Sequence, residues 1–365
     1  MQDPLFPELP SPSETRKPRT DRPARTARAD KPEQESRADQ AAPAPRGKVG
    51  PQPPLPGHQA LAQRLPAQVR LGTSSWNFPG WEGLVWDSDY AEAVLSKHGL
   101  AAYAEHPLFR TVSLDRAFYR PLSALQYAAY AAQVPEHFRF VVKAPSVVAD
   151  ATVRGEDGRG LQANPLFLDA ETALREFVRP ALDGLGAKLG ALVFQLSPLP
   201  PTMLRQLPDV LQRLDALLRS LPPLAPQAPD GVIAVEVRDP VLISPALVQV
   251  LRDAGATYCL GLHAKLPPIE TQLPMLRALW PGPLVCRWNL HRRHGAYGYD
   301  DAKKLYSPFN KLVDPDPETR AVLARVMAAT AGAGRNVYVT ISNKAEGSSP
   351  LSVAALAEEL VARLP

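Results

Sequence analysis

Several charged side chains stand at the ends of short apolar runs, and their spacing is what first points to chemistry. In GVIAVEVRDP, residues 231–240, Glu236 and Arg238 close a β-branched run. Residues two apart in a strand share a face, so both charges side with Ala234, opposite Ile233, Val235 and Val237. PLVCRWN (283–289) repeats the device, with Arg287 and Asn289 opposite Cys286 and Trp288. FRFVVKA (138–144) ends in Lys143, and LGALVFQL (189–196) carries Gln195 near its end. TVSLDRAF (111–118) sets Ser113 and Asp115 on one face, with Phe118 and Tyr119 just beyond. VRLGTS (69–74) ends at Ser74, ahead of Trp76; His263 follows ATYCLGL (256–262), and Asn343 and Lys344 follow NVYVTIS (336–342). An ionised group turned into a protein interior is costly unless paired. Polar ends on this many strands imply either a ligand site or an ion-pair plug.

The residue types fit metal-independent acid/base or lysine-based chemistry. Lys143 follows Phe140, Val141 and Val142, and burial in such company lowers a lysine's pKa and favours the nucleophilic amine. Glu236 and Asp115 are its candidate proton-transfer partners. Lys143, Glu236 and Asp115 are therefore the candidate catalytic set. The candidate ligand-binding set is Arg238, Arg287, Asn343, Gln195, Tyr119, Ser74, Trp76 and Asn289, in which the guanidinium forks suit carboxylate or phosphate. The implied partner is a small anionic or sugar-like ligand, and the implied reaction is of the hydrolase, lyase or isomerase type. A purely structural Lys143–Glu236 salt bridge is equally consistent with these residues. The chain has seven histidines, few for a multi-metal site. His291 and His294 have HxxH spacing but lack the glutamate of a metalloprotease helix. No metal and no cofactor is predicted.

These strand ends need a frame that brings them together. Apolar helical periodicity over 89–104, 122–133, 168–186, 202–220, 244–254, 270–280, 315–331 and 350–363 alternates with the eight strand-like runs. Eight β-then-α units predict a closed (β/α)8 TIM-type barrel, whose sites lie at the C-terminal strand ends. An open doubly wound sheet is the alternative, but the first turn, GTSSWNFPGW, lacks its glycine fingerprint. The long segment 150–167 is a candidate lid over Lys143.

Composition divides the chain. There are 41 prolines in 365 residues, roughly twice average usage, most densely before residue 66. Residues 1–66 are poor in large apolar side chains and read as a disordered tail, leaving 67–365 as a single barrel domain. Arg16, Arg19, Arg22, Arg25 and Arg28 recur every third residue in that tail, a spacing that polyproline II would align. The tail holds 11 basic and 8 acidic residues, about three of the net charge of +4. The folded part is thus near neutral, and its charge alone does not imply a polyanion partner. An alternative reading as a nucleic-acid-binding protein rests on the tail and on the basic-aromatic stretch 287–306, with Arg292, Arg293, Tyr297, Tyr299, Lys303 and Lys304. Cys259 and Cys286 form no CxxC and read as reduced core thiols. No run is long enough to span a membrane, and the N-terminus does not resemble a signal peptide. The predicted location is cytoplasmic, with no membrane partner.

The order of motifs resembles the YecE-like family, domain-of-unknown-function family 72. The matching blocks are GTSSWNFPGW (72–81), DRAFYRP (115–121), FRFVVKAP (138–145), FQLSPLPP (194–201), VEVRDP (235–240), CRWN (286–289) and ISNKAEGSSP (341–350). The resemblance covers about residues 69–365 and implies a TIM barrel akin to the xylose isomerase and endonuclease IV group, with no reaction implied. The chain departs from the family pattern at Ser113 and Asp115, where members carry Glu and Asn. It also lacks the acid common in the sixth strand, and its His-Gly is displaced to 294–295.

Overall fold

The computed structural model describes residues 48–154 and 160–364. Among them lie ten strands: β1 (Val69–Thr73), β2 (Thr111–Leu114), β3 (Arg139–Lys143), β4 (Thr152–Arg154), β5 (Gly160–Ala163), β6 (Leu189–Gln195), β7 (Val232–Glu236), β8 (Thr257–Leu262), β9 (Leu284–Trp288) and β10 (Val337–Ile341). Eight of them close into a parallel barrel in the order β1-β10-β9-β8-β7-β6-β3-β2. The predicted fold class holds. β4 and β5 form a separate antiparallel ribbon.

Period-2 alternation sorts the strand residues. Leu192, Phe194, Val235, Val237, Cys286 and Trp288 join the large apolar layer that includes the helices' buried residues. Val141, Ala191, Val193, Ala234, Cys259, Val285 and Tyr338 form a second, smaller cluster. These are the alternate residues of the same strands, so they fill the barrel's interior. The helices bury the expected stripes; in Leu207–Ser220 these are Val210, Leu214, Leu217 and Leu218. Gly72 is required where β1 meets β2, because a Cβ there would lie 1.8 Å from the Thr111 carbonyl oxygen.

An ionic cluster closes the strand-start end of the barrel. Asp230 Oδ2 accepts from Arg70 and from Arg139, each at 2.8 Å. Asn336 Oδ1 takes a further Arg70 N–H at 2.8 Å, and the Tyr338 hydroxyl donates to the Asp230 carbonyl at 2.8 Å. The apolar plug thus lies between this cluster and the polar strand ends.

Three local expectations change. The second strand stops at Leu114, and Arg116–Tyr119 is a helical turn with Asp115 at its start. Segment 150–167 is not an irregular loop but carries the β4–β5 ribbon, with residues 155–159 outside the described ones. The Asn164 amide pins its base, donating to Val147 O at 2.8 Å and Asp150 O at 2.7 Å. Residues 48–66 belong to the folded body rather than to a disordered tail. Val49 and Leu65 are buried, Pro56–Arg64 is helical, and Arg110 donates to the carbonyls of Ala62 (2.6 Å), Pro66 (3.0 Å) and Leu65 (3.3 Å). Proline-rich composition misleads here because a short segment can borrow its core from the barrel wall. The rest of the predicted tail, with its arginine repeat, lies outside the described residues. Among those described, no helix is long and apolar enough to cross a membrane.

A chain beginning at residue 67 will be less stable than one beginning at residue 48. The expected loss is about 3 kcal/mol or more, the burial of two aliphatic side chains, read from urea unfolding.

Candidate functional site at the barrel mouth

Glu236 ends β7 with its carboxylate fully buried. One oxygen, Oε2, accepts from Arg287 Nη1 at 2.7 Å; the other, Oε1, lies 2.7 Å from Arg238 Nη2 and 3.3 Å from Asn289 Nδ2. Arg287, on β9, reaches on to Asp115 Oδ2 at 2.6 Å, and the Ser113 hydroxyl donates to Asp115 Oδ1 at 2.7 Å. Gln195, paired with Glu236 across β6 and β7, offers Oε1 to both guanidiniums, at 3.0 Å to Arg287 and 2.9 Å to Arg238. Six of the residues singled out from sequence (Asp115, Gln195, Glu236, Arg238, Arg287 and Asn289) thus form one connected network. Gly261 of β8 lies beside it: a Cβ there would meet Leu266 Cδ1 at 2.9 Å and come into ordinary contact with Glu236 Oε1 at 3.4 Å.

Lys143 ends β3 in a different situation. Among the described residues its ammonium has no ion-pair or hydrogen-bond partner; Nζ sits 3.5 Å from the centre of the Phe118 ring. Burial lowers its pKa to about 7, with Asp115 pulling upward and Arg287 and Arg238 pushing down. Burial raises the Glu236 carboxyl, but Arg238, Arg287 and Lys143 outweigh it and hold the group below its ordinary value. Burial disfavours the Arg287 cation, yet Asp115 and Glu236 more than offset this and raise its pKa. Asp115, Glu236, Arg238 and Arg287 therefore sum to zero charge. Lys143 is the group beside them whose charge changes near neutral pH.

Two neighbours lie outside the catalytic and ligand-binding sets read from sequence: His263, and Tyr299, which the sequence assigns to the nucleic-acid alternative. His263, after β8, accepts the Lys265 N–H on Nδ1 at 3.0 Å, and burial with Arg238 and Lys265 lowers its pKa to about 3. It is a neutral imidazole with its proton on Nε2. Tyr299 faces Arg238, whose cation opposes the upward push of burial on its hydroxyl, and lies 5.2 Å from the His263 ring. The signal for His263 was its place at a strand end. Tyr299 sits 63 positions from Glu236 on a helix that the periodicity did not reveal, Tyr299–Tyr306.

Other predicted site residues lie elsewhere. Trp76 donates to the Leu95 carbonyl at 3.2 Å and packs edge-on against Tyr130. Asn343 Oδ1 accepts from Trp81 Nε1 at 3.2 Å and from the Ser349 amide and hydroxyl at 2.8 Å each, tying the β10 loop together. Ser74 joins β1 to β10 through its backbone N–H. Tyr119 is exposed, edge-on to Phe118. The stretch 287–306 does not present one basic-aromatic face. Trp288 and Tyr306 are buried, and Tyr299 turns to Arg238. Arg292 donates to the Leu266 carbonyl, and Arg293 pairs with Asp314. Lys303 and Lys304 share a helix with Asp300 and Asp301, and Tyr297 is 85% exposed with Lys265 over its ring. Among the described residues, no three His, Cys, Asp or Glu side chains cluster in a way that could hold a metal.

Residues 70–364 match the family model described as protein of unknown function DUF72. The chain belongs to the DUF72 family. Its barrel is similar to a DUF72 family protein from Enterococcus faecalis V583, at 19% identity and a TM-score of 0.48 over 80% of this chain and 97% of that one. It is also similar to a DUF72 family protein from Thermotoga maritima MSB8, at 17% identity and a TM-score of 0.47 over 81% and 99%. No curated protein matches the chain. The matched span opens at Arg70, within β1, and takes in the mouth network of this DUF72 barrel.

Two outcomes follow from the network. Arg287→Met strands Glu236 and Asp115 without their shared cation and will cost about 3–5 kcal/mol in urea unfolding; adding Glu236→Gln will recover part of that loss. Lys143 binds its proton less tightly folded than unfolded. The unfolded chain therefore holds more protons between about pH 7 and the ordinary lysine value, and stability rises with pH across that window. Lys143→Met will flatten the rise in a pH series of unfolding curves.

Proposed function

We propose that the barrel mouth binds a small anionic or polyhydroxylated ligand, and that Lys143 performs metal-independent chemistry on it with Glu236 and Asp115 as proton-transfer partners. One observation carries this reading: Lys143 Nζ faces an aromatic ring, while both nearby carboxylates are engaged by arginines. A structural lysine would be expected to take a carboxylate for itself. A buried amine with a pKa near 7 is instead poised to add to a carbonyl or to abstract a proton at neutral pH.

The neighbours supply the remaining parts. Arg238 has a buried Nε without an acceptor, a donor left over for an anionic group. In the amine route, Lys143 nitrogen adds to a ligand carbonyl carbon and the carbonyl oxygen leaves as water, with Asp115 or Glu236 relaying protons. Reaction classes open to such a site are lyase, isomerase and hydrolase. The alternative, nucleic-acid binding through 287–306, draws less support, because most of its aromatics and arginines are occupied within the fold.

Incubation with a small α-keto acid and borohydride will add a stable secondary amine at Lys143, located by peptide mass spectrometry. Labelling will rise with pH around a midpoint near 7, because only the neutral amine adds. Lys143→Arg will abolish it. Labelling spread evenly over surface lysines, with Lys143 untouched, would show that the amine route is wrong.

A further inference from the structure

A second concave site lies at the opposite end of the barrel. Thr257 and Leu284, the first residues of β8 and β9, line a groove of about 470 Å³. That volume is in the range of small-molecule sites. Its walls come from the helices Ile269–Ala278 and Pro317–Gly332 and include Leu276, Val322, Val326 and Trp280. Trp280 is 52% exposed, whereas Trp76, Trp81, Trp86 and Trp288 are buried. An indole left half in water beside aliphatic walls is the kind of exposed apolar patch that marks a binding groove.

Charge selects the occupant. Arg277 and Arg325 also line the groove, and among the described residues no Asp or Glu does. Neither guanidinium has an ion-pair partner among the described residues, so both cations are free to meet an anion. Arg277 is not needed to cap its own helix either. The carbonyls of Met275 and Leu276 accept from the Leu279 N–H, that of Arg277 from the Trp280 N–H, and that of Ala278 from the Arg252 guanidinium at 2.6 Å.

We propose that this groove binds a medium-chain apolar carboxylate, with its chain against Trp280, Leu276 and Val326 and its head group at Arg277 and Arg325. The apolar walls reward the chain, and two unpaired guanidiniums set the sign of the head. The site is separate from the mouth and does not depend on what the mouth does.

The test is titration of the full chain with sodium decanoate, followed by tryptophan emission and by calorimetry. Decyltrimethylammonium bromide serves as the charge-reversed control. The expected result is saturable decanoate binding with a blue shift in emission, weakened at least about tenfold in an Arg277→Glu/Arg325→Glu variant. Both positions are exposed on helices, so the fold is retained. Trp280→Phe will remove the emission change while calorimetric binding persists. Equal binding of the two head groups, or binding unchanged by the double reversal, would overturn the proposal. So would the absence of decanoate binding together with self-association lost in Trp280→Asp, which would assign the groove to a second copy of the chain.

Discussion

The mouth is organised around one carboxylate buried away from solvent. Glu236 is fully buried, and it is stable as an anion only because Arg287 and Arg238 each take one of its oxygens. That requirement propagates. Arg287 must reach from β9 to β7, and its guanidinium then also meets Asp115 and Gln195. The network fixes four strand ends relative to one another, which a purely apolar plug would not do with the same directional precision.

The same constraint explains the unusual position of Lys143. Two carboxylates and two guanidiniums already balance, so a fifth charge in the network would have no counter-ion. Lys143 is accommodated at the edge, against Phe118, by giving up its proton near neutral pH. An amine held this way has a desolvated lone pair, with the Arg238 and Arg287 guanidiniums nearby. The paired charges and the unpaired amine thus belong to different residues of one layer.

The barrel is closed at its other end by a second ionic cluster, in which Asp230 joins Arg70 and Arg139. The interior is therefore a short apolar segment between two polar layers. Each layer leaves a buried arginine nitrogen without an acceptor, Arg70 Nε at the strand starts and Arg238 Nε at the mouth; the mouth adds Lys143, a buried amine set against an aromatic ring. The two layers look alike in composition but differ in that buried amine.

The eight-unit rhythm, and the alternation that turns Glu236, Arg287, Gln195 and Lys143 inward, were legible in the sequence because strand period and helix period are local properties. So was the membership of six residues in one layer, since a closed barrel brings the ends of its strands together. Pairing was not legible. Whether Lys143 or Arg287 would take Glu236 depends on strand register and tilt, which relate residues some fifty to a hundred positions apart. Trp76 and Asn343 also sat at strand ends, yet the chain turned them outward into helix and loop contacts. Tyr299 entered the mouth from a helix in a polar stretch that carried no clear periodicity. Residues 48–66 depart from what their composition predicts, because composition reports what a segment can bury by itself, and this one is buried by others. Local chemistry determined the architecture and the inventory of charges; the tertiary structure alone decided which charges spend themselves on each other and which amine is left over.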